Sequence, residues 1–383
     1  MRGFVLSYLP NGSNFSILKL MKISEDQYLA AVYAFDSFGP ARTKLLLNFF
    51  KASKNIWNAT ETDLLRVNLK KDLVERFIEH RRNFDIEEYF LKLKKLKIGF
   101  ATFLNKNYPE NLKGLDDAPC VLYYRGILNP KEVNLVAIVG ARKMTSYGRE
   151  VTEKFAGELA GFGATIVSGL ARGVDTVAHK EAIAAGGRTI AVLGNGLDIT
   201  YPPENEILAK EIVKSGGAVI SEYPLGYPAL PVNFANRNRI ISGLSKAIIV
   251  IEGAEKSGTL LTATHAAEQG RTVFAIPGAI TSPMSAAPLF LLKNGARIAI
   301  TPGDILDELD LQIKVDREKV EKILPTGRDE EKLLEILATE PMHLDELVRI
   351  TGSKTSEISA RLMILEMKGL VRNLGNGVYK KSG

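Results

Sequence analysis

Four short glycine-bearing turns hold the residues of this sequence best suited to gripping phosphate. The first is Gly140-Ala141-Arg142, at the end of the apolar run in "NLVAIVGARKMTSYG" (134–148). The second, "SGLARGVDTVAH" (168–179), brings Ser168, Gly169, Arg172 and Gly173 ahead of a helix starting near Asp175. The third is "LGNGLDITYPPEN" (193–205). The fourth is "EGAEKSGTLLTA" (252–263), where Lys256 precedes a helix opened by Ser257-Gly258-Thr259. Backbone N–H groups at a helix N-terminus lack internal partners and carry partial positive charge, so each turn suits an anion. Arginine adds a two-pronged donor to a phosphate already in place. Several such turns on one sheet edge match a row of phosphates better than one small nucleotide. A dinucleotide fingerprint is interrupted, because Ala141 and Arg142 stand where further glycines belong.

Between the third and fourth turns lies "VNFANRNRIISGLS" (232–245), which gathers Phe234, Arg237, Asn238 and Arg239. Arginines beside an aromatic ring serve single-strand binders: charge follows the backbone while the ring stacks on a base. Taken alone, the cluster reads as a core phenylalanine with arginines paired to carboxylates. Asp175 and His179 are four residues apart and share a helix face. A catalytic metal needs about three protein ligands, and no third one stands at a fixed spacing. Asp175 is therefore expected as a helix cap and His179 as a packing residue. No metal or other cofactor is expected. His80, His265 and His343 have no nucleophile beside them.

These residues need elements to hold them. Apolar runs at 135–139, 164–168, 189–193, 218–221, 247–251 and 272–276 read as strands, alternating with helices near 147–161, 175–185, 204–215, 236–243 and 257–269. This predicts an α/β domain over 98–310 with a parallel sheet, its glycine turns at the carboxyl ends where such sheets bind ligands. Residues 24–97 read as a helical domain, with a helix restarting after Gly39-Pro40 as in helix-hairpin-helix and SAM-like modules. Residues 311–328, with Pro325 and Gly327, read as a linker. Residues 329–383 read as three short helices and a hairpin turning at Gly375-Asn376-Gly377, a winged-helix pattern. Its third helix mixes Lys354, Ser356 and Arg361 with Glu357 and Glu366, which favours a protein contact over duplex reading by residues 353–362. Residues 1–23 are left as an N-terminal extension, with Met21-Lys22-Ile23 resembling a natural start.

At 383 residues, two to three domains are expected. Fifty Lys+Arg against 44 Asp+Glu give a net charge of +6, which permits a polyanionic partner. One cysteine, Cys120, excludes a disulfide framework and fits a reducing cytoplasm. No apolar run approaches the ~20 residues that span a bilayer, so no membrane partner is expected.

The ordered series "SGLARGVDTVAH", "VLGNGLDITYPPEN", "SEYP", "NRNRIISGLS", "SGTLLTATHAAEQGR" and "FAIPG" resembles the DprA/Smf family, as does the approach "LNKNYPENLKGLDDAPCVLYYRG" (104–126). The resemblance is dense over 98–310 and looser in the flanking domains. It implies an extended Rossmann-like domain between a SAM-like helical domain and a winged helix. It also implies a non-enzymatic, cytoplasmic protein that binds single-stranded DNA and loads a RecA-type recombinase in transformation or recombination. By the same mapping Arg142, Arg172, Arg237, Arg239, Lys256 and Ser257-Gly258-Thr259 line a phosphate pocket, and Phe234 is its stacking ring. Gly140, Ser168, Gly169, Gly173 and Asn238 belong to the same motifs.

The sequence also departs from the family. Ala235 replaces a proline and is expected to loosen the loop after Phe234. Pro231-Val232-Asn233 stand where some members place a lysine. Ala287 and Leu289 replace the Gly and Asn of a Ser-x-Gly-x-Asn motif ahead of the helix associated with dimerisation. Leu289, Phe290 and Leu292 mark that homodimer surface, or alternatively a helix buried in the monomer. The competing class is a nucleotide-processing enzyme of the phosphoribohydrolase-like superfamily, whose loop reads Pro-Gly-Gly-x-Gly-Thr with a glutamate soon after. Residues 252–259 lack Pro-Gly-Gly, and the next acid in that helix is Glu268.

Overall fold

The computed structural model describes residues 23–308, 328–367, 370–375 and 377–381. Most of the expected N-terminal extension, most of the 311–328 linker and Asn376 of the hairpin turn lie outside the described residues. The chain divides into two units, Met1–Leu311 and Gln312–Gly383.

Alternation of apolar β-branched runs with helices gives the first unit a nine-stranded sheet. Its strands are β1 (Gly99–Thr102), β2 (Val121–Gly126), β3 (Leu135–Val139), β4 (Thr165–Ser168), β5 (Thr189–Leu193), β6 (Ala218–Ser221), β7 (Ala247–Val250), β8 (Thr272–Ala275) and β9 (Arg297–Ile298), in the order β1-β2-β6-β5-β4-β3-β7-β8-β9. From β6 to β9 the pairing is parallel, as the sequence implies. Strands β1 and β2 extend it antiparallel past β6, making the sheet mixed. Neither is among the strands expected from the sequence: β1 is only four residues long, and β2, although Val121, Leu122 and Tyr123 are buried, gives way to Arg125-Gly126.

Helices cover both faces. They are α7 (Glu110–Lys113), α8 (Ser146–Gly161), α9 (Val174–Ala184), α10 (Glu206–Lys214), α11 (Pro231–Leu244), α12 (Gly258–Glu268), α13 (Ala286–Lys293) and α14 (Gly303–Glu308). Ala137, Val139, Ile248 and Val250 pack against Ile240 and Ile241 of α11 and Ala263 and Ala266 of α12. Val136, Ile138 and Ile249 point the other way, onto Phe155 and Leu159 of α8 and Ala178 of α9. Burial on both faces is why these strands read as continuous apolar runs. Each buried Val or Ile contributes about 1.5–3 kcal/mol. Strand order runs outward in opposite directions from β3 and β7. A crevice therefore opens between their carboxyl ends.

The helical segment comprises α1 (Glu25–Tyr33), α2 (Pro40–Phe50), α3 (Ser53–Asn58), α4 (Glu61–Leu65), α5 (Lys71–Asn83) and α6 (Ile86–Lys95). Ser24 and Gln27 form a reciprocal capping box on α1, and Pro40 takes the first position of α2, where a missing N–H costs nothing. Phe35, Phe38 and Phe77 fill its own core, whereas Leu29, Tyr33, Tyr89 and Leu93 share a core with Val121 and Tyr123 of β2. The helical segment is thus seated on the sheet.

The second unit holds α15 (Arg328–Ile336), β10 (Met342–His343), α16 (Leu344–Thr351), α17 (Thr355–Met367), β11 (Val371–Gly375) and β12 (Val378–Lys381), with strand order β10-β12-β11. Leu333, Leu347, Ile358, Leu362 and Val371 form its core. This is a winged-helix arrangement. Arg361, the one basic residue in the α17 sequence, is paired with Asp329 at 2.9 Å. Among the described residues no helix is long and apolar enough to cross a membrane.

Candidate nucleic-acid interface

At the crevice between β3 and β7 lies a cleft of about 290 Å³. Arg142 follows β3, Phe234, Arg237 and Asn238 come from α11, and Ser257, Gly258 and Thr259 open α12. Arg142 is exposed, with no carboxylate partner among the described residues, and its guanidinium carbon sits 5.8 Å from the Phe234 ring centroid. At the mouth of α12 the Ser257 hydroxyl accepts from the Thr259 N–H at 3.3 Å. No carboxylate is bonded to that turn among the described residues, so its partial positive charge faces the cleft. Lys256 stands exposed on the same turn. Asn238 joins the two helices by donating to the Gly258 carbonyl at 3.4 Å.

Among the described residues, the protein's own carboxylates engage the second turn, the start of α8 and the Arg172 side chain. Asp175 accepts from the Gly169 N–H at 3.0 Å and the Ala171 N–H at 3.3 Å, which folds the second turn onto itself. Burial holds this carboxyl above its ordinary range, opposed by the Arg237 charge. Asp175 is not the expected cap: Gly173 precedes α9, at φ 77°, and a side chain there would strike the Ala141 carbonyl. Glu252 accepts from the Thr145 N–H at 2.9 Å and so occupies the N-terminus of α8. Arg172 is ion-paired with Glu204, both side chains remaining exposed.

Three candidate contacts are corrected by this packing. Arg237 lines the cleft but is buried, with its guanidinium donating to the Gly169 carbonyl at 2.8 Å and to the Val192 carbonyl. Burial pulls its pKa down to about 10. Arg239 is paired with Glu222, which also accepts from the Tyr33 hydroxyl at 2.9 Å. That ties α11 to α1 and turns Arg239 away from the cleft. Ser168 is buried, its hydroxyl donating to the Ile138 carbonyl at 2.7 Å. Gly140 lies against Val174, where strand end and helix meet too closely for a side chain. Ala235 sits inside α11, which begins at Pro231 rather than near 236, so it loosens no loop. His179 is buried beside Thr189, and burial pushes its pKa down to about 3.

A family profile described as "DNA recombination-mediator protein A" matches residues 99–310, more than half of the chain. The chain belongs to the DprA/Smf family. A second profile, "DprA winged helix domain", matches residues 318–377. The Smf protein of Synechocystis is 34% identical over 92% of this chain and 97% of its own length. The Smf protein of Escherichia coli is 40% identical over 71% and 75%. The crystal structure of DNA processing protein A from Streptococcus pneumoniae superposes with a TM-score of 0.63 at 33% identity, covering 75% of this chain and 99% of that one.

Two features of this DprA/Smf cleft had no local signal in the sequence. Tyr201, from the third turn, stacks on Phe234 with centroids 5.2 Å apart and planes at 28°. The two rings are 33 positions apart and meet only through the fold. The altered 282–296 segment supports the fourth turn: the Gly253 N–H donates to the Met284 carbonyl at 2.7 Å, and the Ala287 N–H donates to the Gly253 carbonyl at 2.8 Å. The helix expected to dimerise, α13, is divided. Ala287 is buried, Leu289 and Leu292 are half-buried, and Phe290 is 55% exposed.

Proposed function

We propose that this protein binds single-stranded DNA in the β3–β7 cleft without catalysing a reaction on it. The observation that carries the reading is the helix mouth at Ser257-Gly258-Thr259, which with Arg142 has no carboxylate partner among the described residues and stands beside an aromatic pair. Phosphate fits the helix mouth and the guanidinium, while Tyr201 and Phe234 supply stacking surface for bases freed from a duplex. Lys256 extends the positive rim, and Arg172 joins it when Glu204 is displaced. Arg237 and Arg239 act from behind, holding α11 and hence Phe234. Among the described residues the one carboxylate lining the cleft, Asp175, is bonded by two backbone N–H groups, which supports binding over acid–base work. Two copies joined through α13 would present a bound strand to a RecA-type recombinase in transformation or recombination. That role, and a cytoplasmic setting, follow from the family likeness.

Fluorescence anisotropy with labelled single-stranded and duplex oligonucleotides tests the reading. Single strand should bind more tightly than duplex, with little dependence on sequence. Arg142→Ala should weaken binding about tenfold and lower the slope of log affinity against log salt by about one. Unchanged affinity in the folded variant would overturn the assignment.

A further inference from the structure

Helix α11 is lined by cavities on both flanks. Phe234, Ala235 and Asn238 face the cleft. Asn233, Asn236 and Arg239 face a second cavity of about 310 Å³, closed on its far side by residues of the helical segment from Tyr33 to Pro40. At about 100° per residue, these two sets lie on opposite sides of the helix.

The second cavity differs in chemistry from the first. Tyr223 and Tyr227 form a stacked pair in its wall, centroids 4.8 Å apart and planes at 27°. Both rings are half-buried, so each keeps an accessible surface. Its charged side chains are Asp36, Glu222 and Arg239. Glu222 and Arg239 neutralise each other, and Asp36 accepts from the Ser37 hydroxyl at 2.9 Å. No unpaired cation faces the cavity among the described residues. It therefore suits a flat, neutral group with hydrogen-bonding edges, and it disfavours phosphate. The ridge between the cavities is the start of α11, where Leu230 is 42% and Val232 59% exposed.

We propose that this cavity receives one unpaired base of the strand whose phosphates lie in the cleft on the other side of α11. The inference rests on the single-strand reading above. The strand crosses the exposed start of α11, a width of about 10–12 Å, and the base stacks on the Tyr223–Tyr227 pair. Asn236 and Asp36 offer an amide and a carboxylate to its edge. The helical segment thereby becomes part of the DNA site.

The test compares oligothymidylate with an abasic oligonucleotide of the same length and charge, by anisotropy, against wild type, Tyr227→Ala, Tyr227→Phe and Arg142→Ala. Tyr227→Ala should weaken oligothymidylate about tenfold and leave the abasic strand unchanged. Tyr227→Phe should match wild type, and Arg142→Ala should weaken both strands. If Tyr227→Ala misfolds by circular dichroism, Tyr227→Leu reads the same difference with a bulky non-aromatic side chain. Wild-type binding of both strands by the folded tyrosine variant, or an equal loss on both, overturns the base cavity alone. Failure of the wild type to bind either strand overturns the cleft reading and this inference together.

Discussion

At the scale of single residues, the arginines of the candidate site have opposite duties. Arg142 is exposed and unpaired among the described residues, while Arg239 is paired with Glu222 and Arg237 is clasped by two carbonyls. Losing one partner of a buried pair leaves an uncompensated charge, which costs about 3–5 kcal/mol. Arg239→Ala should therefore lower the unfolding free energy measured in urea by that amount, whereas Arg142→Ala should leave it unmoved. Equal stability of the two variants would show that Arg239 faces solvent. The motif "NRNR" shows charge but not its partners. Glu222 and Tyr33 are 17 and 206 positions from Arg239, beyond the reach of any local pattern.

At the scale of elements, α11 and α13 decide how the site is presented. Pro231 at the first position of α11 pre-sets the helix, so Phe234 is carried on a rigid element seated by Arg237 and Asn238. Helix α13 places Phe290 outward at 55% exposure, and neighbouring Ile298 and Ile300 are 52% and 68% exposed on or just beyond edge strand β9. An exposed apolar group beside a sheet edge is a ready surface for self-association. Phe290→Glu should shift the protein from dimer to monomer in light scattering after size exclusion, with its circular dichroism unchanged. A wild-type protein already monomeric at micromolar concentration would remove α13 from that role.

At the scale of the molecule, the two units have separate cores, one around the sheet and the helical segment, the other around Leu333, Leu347 and Leu362. The cleft is built wholly from the first. A chain ending at Glu308 should keep the single-strand affinity of the full protein within about twofold, since a factor of two is less than one weak hydrogen bond. A larger loss would place DNA contacts on the winged helix. Arg361 argues against that, because Asp329 already holds it.

The six central parallel strands and most helices were legible from the sequence, because burial on both faces writes an unbroken apolar run. The order of the motifs was enough to mark the family. Strands β1 and β2 were not expected: β1 is only four residues long, and the apolar run of β2 breaks off at Arg125-Gly126. Which phosphate-binding turns are open could be decided only by tertiary structure. Asp175 takes the N–H groups of the second turn, Glu252 takes the Thr145 N–H at the start of α8, and Glu204 pairs with the Arg172 side chain. Gly140 packs on Val174, leaving Arg142 beside the open α12 mouth. A glycine turn announces that backbone N–H groups can bind an anion. Whether that anion comes from outside depends on carboxylates that the fold brings from elsewhere in the chain.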